Sequence, residues 1–232
     1  MSNFFVNKFG RAGDVDAVLD VYDVSTGSYE FPTVATSTQV VGLANDIPSS
    51  DGVHSVQIEG LLANGTEVTE VATLNGTTPV VMTNSFYRVN RMFVKASGAT
   101  NINSGQIRCT HSGSGTLAMI SPLEGQTLQA CYTLPAGIRG SIVSWRADAA
   151  REATQVAFQT SLRLQTRKVG ETWRTRDSAL AGNTNSLDRK FSTKGAIAIE
   201  PLMDIRVRVT AVNTNNGTVS AGFEIDGFRD IR

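Results

Sequence analysis

The chain has 232 residues, 41% of them hydrophobic, and balances 21 basic against 21 acidic side chains. That is enough apolar material for a sizeable core and enough length for one large or two small domains, which excludes wholesale disorder. A zero net charge lacks the basic excess that phosphate binding demands, and no apolar run reaches the length of a membrane span, so neither nucleic acid nor a bilayer is an expected partner.

The first residues, Met1-Ser2-Asn3-Phe4-Phe5-Val6-Asn7-Lys8, carry no secretory apolar stretch and no small-residue cleavage site, and read as a soluble protein made in a cytosol. Phe4, Phe5, Val6 and Phe9 lie beside Lys8, Gly10, Arg11 and Gly13, and are expected to form an extended arm ahead of the first regular strand. Aromatics on such an arm pack on their own domain or dock on a neighbour. Asp14, Asp16, Asp20 and Asp23 follow as an acidic cluster, but Gly13-Asp14-Val15-Asp16-Ala17 lacks the ligand spacing of a calcium loop, so these acids are expected to be solvated.

Further along, two-residue alternation predicts strands over 38–43, 53–62, 66–74, 87–95, 105–111, 116–120, 127–133 and 140–147. Asn64-Gly65 between the second and third of these predicts a two-residue hairpin turn, and Asn75-Gly76 predicts another turn. Residues 148–153 alone suit a helical turn. Strands over 155–167, 204–212 and 218–226 follow, with the last two joined as a hairpin through Asn213-Thr214-Asn215-Asn216-Gly217. Pro122 and Gly125 punctuate the middle of the chain. The expected architecture is therefore all-β: two sandwich-like or jelly-roll-like domains, 1–122 with its N-terminal arm and 123–232, with tight Asn-Gly turns and very little helix.

Chemistry is scarce. The two histidines, His54 and His111, stand on a strand face and before a Ser-Gly turn, with no nucleophile elbow near either. Carboxylate pairings that would suit a glycosidase include Glu59 with Glu67 or Glu70; facing acids on exposed strands are the simpler reading. Cys109 and Cys131 lack zinc-ligand spacing and are expected to be buried free thiols. Arg163, Arg167, Lys168, Arg174 and Arg176 form a basic cluster that reads as a solvated strand face. The Asn-Gly-Thr triplets at 64–66, 75–77 and 216–218 match the glycosylation acceptor pattern, but each is explained by a turn leading into a strand. No glycine loop precedes a helix. No catalytic, cofactor or metal residue is assigned, and the expectation is a protein that is not an enzyme.

Several segments carry a resemblance. They are Phe9-Gly10-Arg11-Ala12-Gly13-Asp14-Val15-Asp16, Val56-Gln57-Ile58-Glu59-Gly60-Leu61, Leu74-Asn75-Gly76-Thr77-Thr78-Pro79-Val80 and Ser85-Phe86-Tyr87-Arg88-Val89-Asn90-Arg91 in the first half. Gly125-Gln126-Thr127-Leu128, Tyr132-Thr133-Leu134-Pro135-Ala136-Gly137, Ser144-Trp145, Trp173-Arg174-Thr175, Asp204-Ile205-Arg206-Val207-Arg208 and Val219-Ser220-Ala221-Gly222-Phe223 complete the set. Together they resemble virion structural proteins of tailed bacteriophages, particularly phages of aquatic bacteria. The resemblance implies a β-rich component of the particle without a catalytic site. The preferred role is a decoration (cement) protein on the capsid surface, and the alternative is a tail, baseplate or fibre-associated protein. A glycan-binding or depolymerase module is a third reading; it would need aromatic platforms, and Trp145 alternates with Val143 and Ala147 like a core residue. The implied partners are the major capsid protein or another virion protein and further copies of the chain, a trimer being the natural ring. Phe4, Phe5, Phe9, Arg11, Phe228 and Ile231 are the expected partner-binding residues.

Overall fold

A computed structural model describes residues 2–22, 28–29, 31–111, 115–151, 158–182, 185–192, 194–213 and 217–229. Among these the chain is all-β, with no helix, and it divides into two compact units. Unit 1 joins Met1–Ser28 to Gln129–Arg232; unit 2 is Tyr29–Leu128. The expected division at residue 122 is thus replaced by an insertion, because the first strand finds its partner at the far end of the sequence.

Unit 1 begins with β1 (Ser2–Val15) and β2 (Leu19–Asp20). Unit 2 contains β3 (Thr38–Val41), β4 (Val53–Leu61), β5 (Glu67–Thr73), β6 (Val80–Val81), β7 (Arg88–Ser97), β8 (Ile107–His111) and β9 (Thr116–Ile120). The chain then returns to unit 1 through β10 (Cys131–Thr133), β11 (Ile138–Arg151), β12 (Gln159–Lys168), β13 (Arg174–Gly182), β14 (Leu187–Lys190), β15 (Ile197–Ile199), β16 (Met203–Val212) and β17 (Gly217–Arg229).

In unit 1, sheet A runs β1-β17-β11-β14, with β15 also on β11, and sheet B runs β10-β16-β12-β13, with β2 also on β16. Alternation turns Ile142, Trp145, Ala147, Val219, Ala221, Phe223 and Ile225 of sheet A, and Leu162, Leu164, Ile205, Val207 and Val209 of sheet B, into one shared core. Trp145 is fully buried there, and its indole Nε1 donates to Asp177 Oδ2 at 2.8 Å. Val143, expected on the same face as Trp145, instead falls at a bulge between Ile142 and Ser144.

Two local expectations fail here. β16 and β17 are not a hairpin: β16 lies in sheet B between β12 and β10, and β17 lies in sheet A between β1 and β11. Both alternate identically, so pattern alone cannot say whether neighbouring strands pair or face each other across a core. Of residues 148–153, expected as a helical turn, 148–151 extend β11 against β17 from Asp148↔Ser220 to Arg151↔Gly217, and 152–153 lie outside the described residues. The alanines at 147 and 149 are core residues of a strand, tertiary packing overriding helix propensity.

The N-terminal arm is likewise a strand. β1 holds an unbroken antiparallel register with β17 from Ser2↔Arg229 to Ala12↔Val219. At Gly10 a Cβ would sit 2.2 Å from the Ala130 amide and 2.3 Å from the Val21 carbonyl, so only glycine lets β1 press down on this backbone.

Unit 2 has a four-stranded sheet, β6-β3-β8-β9, and a three-stranded sheet, β5-β4-β7, sharing a second core around Val56, Ile58, Phe86, Met92, Ile107 and Leu117. The expected β4–β5 hairpin is present, but its loop is longer than two residues. Leu62 donates its amide to the Thr66 carbonyl and Gly65, at φ +78°, donates to the Leu62 carbonyl, which closes a three-residue turn of Ala63-Asn64-Gly65.

Candidate interaction surface

The outward face of sheet A carries most of the residues expected to meet a partner. Strand alternation on β1 points Phe4 and Val6 inward, half-buried against the core, and points Asn3, Phe5, Asn7, Phe9 and Arg11 outward. Phe5 is 64% exposed and Phe9 40%. Phe228, 38% exposed, lies directly across from Asn3, so it is the diagonal neighbour of Phe5 on the same face. Phe9 stands opposite Gly222, which lies opposite Arg146 in turn; across that bare position the Arg146 guanidinium reaches to 5.9 Å from the Phe9 ring centre. Ser144 donates to Glu224 at 2.7 Å in the polar row between these aromatics. Of the six predicted residues, therefore, Phe5, Phe9, Arg11 and Phe228 share one face, Phe4 belongs to the core side, and Ile231 lies outside the described residues. β1 is also an edge: among the described residues it has β17 on one side and no strand on the other.

The opposite layer is built in reverse. The outward face of sheet B carries Asp20, Asp204, Arg206, Arg208, Gln165 and Arg167, yet Asp20 and Asp204 are fully buried and Arg206 is 9% exposed. Asp20 takes ion pairs from Arg206 at 3.3 Å and Arg208 at 3.0 Å, and Asp204 takes Arg167 at 3.1 Å and the Thr133 hydroxyl at 2.7 Å. Trp173 lies over this network, its ring centre 3.9 Å from the Arg206 guanidinium carbon and 4.5 Å from that of Arg167. Burial pushes the Arg206 pKa down while Asp20 opposes that shift. Sequence reading missed the network, since nothing in one dimension joins Asp20 to strands nearly the whole chain away. Trp173 is engaged by arginines and Trp145 is internal, so neither indole stands as an open platform.

The other candidate residues are dispersed. His54 contacts the Ser50 carbonyl at 2.8 Å, whereas His111 holds Thr36 through contacts of 2.7 to 2.9 Å to its hydroxyl and amide. Glu59 and Glu70 point to opposite faces of their sheet, because Glu59 pairs with Thr69 and Glu70 with Ile58. Burial alone would raise the Glu70 carboxyl, but the Asn84 and Thr83 amides donate to it at 2.9 and 2.6 Å and hold it below its ordinary range. Its oxygens thus fasten the loop after β6. Glu67 shares the outer face with Glu59, opposite Leu61. Asp20 is committed to arginine, Asp14 stands at a left-handed φ of 64°, Asp23 lies outside the described residues, and no group of three or more metal-binding side chains converges among the described residues. Within the basic cluster, Lys168 pairs with Glu200 at 2.6 Å, Arg174 with Glu171 at 3.8 Å, and Arg176 donates to the Thr166 hydroxyl at 2.7 Å. Both cysteines are free and buried.

No protein-family model, curated protein or solved structure matches the chain.

Proposed function

We propose that this protein is a non-enzymatic structural component of a tailed-bacteriophage particle, a decoration protein that sits on the outer shell and braces neighbouring capsid subunits. The observation that carries this reading is the outward face of sheet A, where Phe5, Phe9 and Phe228 stand in solvent on a long, regularly registered strand framework. Exposed aromatics held on rigid strands meet a partner at little ordering cost. Each unit is read as a sandwich-like pair of sheets, stiff enough to transmit load between the subunits it bridges. Burying the aromatic strip contributes roughly 25 cal/mol per Å² before association costs. Many copies on a symmetric lattice then resist internal pressure together, although each contact is weak.

Copy number per particle tests the role. Copies comparable in number with the shell protein support decoration; a few at one vertex point to a tail, baseplate or fibre protein instead. The contact itself is tested by the Phe5→Ser and Phe9→Ser double variant, which is expected to fold and to lose occupancy on particles. Point variants suit this test better than removal of residues 2–9, which would strip most of a strand from sheet A and unseat Phe4 and Val6 from the core.

A further inference from the structure

We propose that β1 is a homodimerisation edge, at which two copies of this chain pair their β1 strands antiparallel about a two-fold axis through Asn7. The proposal does not depend on the particle reading; it rests on the edge alone.

β1 is long, regular from Ser2 to Ala12, and unflanked on one side among the described residues. A strand of that kind with exposed apolar side chains is a template for another strand. Natural edges are usually blunted by bulges and charges; β1 keeps its bulge at one end and carries one inward-pointing charge, Lys8, near its middle. The register shift lies between Ala12 and Val15, and Lys8, 8% exposed, is turned under the sheet on the same side as Gly10 and Ala12.

The sequence of the strand selects a second copy as the occupant, and the register with it. In an antiparallel pair, directly opposed residues share a face. With Asn7 on the axis, Phe5 opposes Phe9 of the second copy and Phe9 opposes its Phe5, while Arg11 opposes Asn3 and Lys8 opposes Val6. No like charges meet. Moving the axis to Lys8 would set two lysines against each other and Phe5 against Arg11; moving it to Phe9 would leave Phe5 opposite Gly13. Only the Asn7 register mates both exposed phenylalanines at once. Because Phe228 is already the diagonal neighbour of Phe5, the paired sheets would carry three aromatic rings from each copy in one strip across the axis. The contact is isologous, so it closes at two copies and does not propagate.

The purified chain, of 24.8 kDa, tests this by mass in solution across a broad concentration series. The expected result is a species of twice that mass. Phe5→Lys should weaken association about tenfold to a hundredfold while leaving the β-rich circular dichroism spectrum and melting temperature in place. Leu180→Lys, at a comparably exposed apolar site on β13, should leave the dimer unchanged. Asn7→Cys should cross-link two chains on mild oxidation, because the native cysteines are buried. A chain monomeric at every concentration, a trimer, a dimer indifferent to Phe5→Lys, one dissolved by Leu180→Lys, or a dimer that Asn7→Cys fails to cross-link would each overturn the proposal. None of these outcomes touches the particle reading, which is decided by copy number.

Discussion

The two outward faces of unit 1 are made by the same alternation and come out opposite. Sheet A turns phenylalanines into solvent on Phe5, Phe9 and Phe228, whereas sheet B hides carboxylates and guanidinium groups at Asp20, Asp204 and Arg206. The period of a strand decides which residues share a side; what lies over that side decides whether it is wet. A single apolar residue on a wet side is ordinary, whereas aromatics gathered on one face are not, and a charge on a dry side must be paired to be tolerated.

The largest expected effect comes from breaking the dry side. Asp20→Ala leaves Arg206 and Arg208 without the carboxylate between them, and should destabilise the fold by about 3–5 kcal/mol in denaturant titration. A loss under 1 kcal/mol by the same measurement would mean that the network is solvated after all. Trp173→Ala should cost about 1–2 kcal/mol, by uncovering the guanidinium groups of Arg206 and Arg167.

Thiol chemistry sharpens the contrast. Cys131 lies opposite Arg206 on the dry side, and burial, then Asp20, push its thiol well above the ordinary range. Cys109, buried in unit 2, is pushed up to about 12 by burial alone. Both should resist alkylation in the native state at neutral pH and react on unfolding, and Asp20→Ala should expose Cys131 to reagent before Cys109. The sign of the accompanying pH dependence is fixed. The folded chain holds these protons while the unfolded chain releases them near the ordinary thiol value of 9.0, so stability should fall as pH rises past about 9 and keep falling toward 12. The smallest effect belongs to the wet side: Phe5→Ser should change stability by no more than about 0.5 kcal/mol, and a larger loss would show that Phe5 is part of the core rather than of a surface.

The local grammar of this fold was legible in the sequence and its long-range pairing was not. Asn64-Gly65 marked its hairpin, missing only the loop length, and the alternation of 204–212 and 218–226 located β16 and β17 to within a few residues. Pattern could not reveal that those two strands belong to different sheets, nor that β1 pairs with β17 instead of trailing as an arm. β13 escaped notice because Arg174-Thr175-Arg176-Asp177 shows no apolar alternation; Asp177 faces inward and is held by the indole of Trp145 and by Arg189. For the surface, Phe5, Phe9 and Phe228 could be picked out as apolar residues in polar company. Their common face could not be, since it exists only once β1 and β17 are in register.

The discontinuity of unit 1 also sets an order of events. Ser2 is registered against Arg229, so a nascent chain synthesises β1 first and gives it no sheet to join until β17 has been made. Tyr29–Leu128, by contrast, holds all the strands of its own unit and is complete well before that. On the ribosome the middle of the protein is therefore positioned to mature early, while the leading strand waits with its phenylalanines uncovered. The phenylalanine-bearing face of sheet A is therefore also open to unwanted association during synthesis.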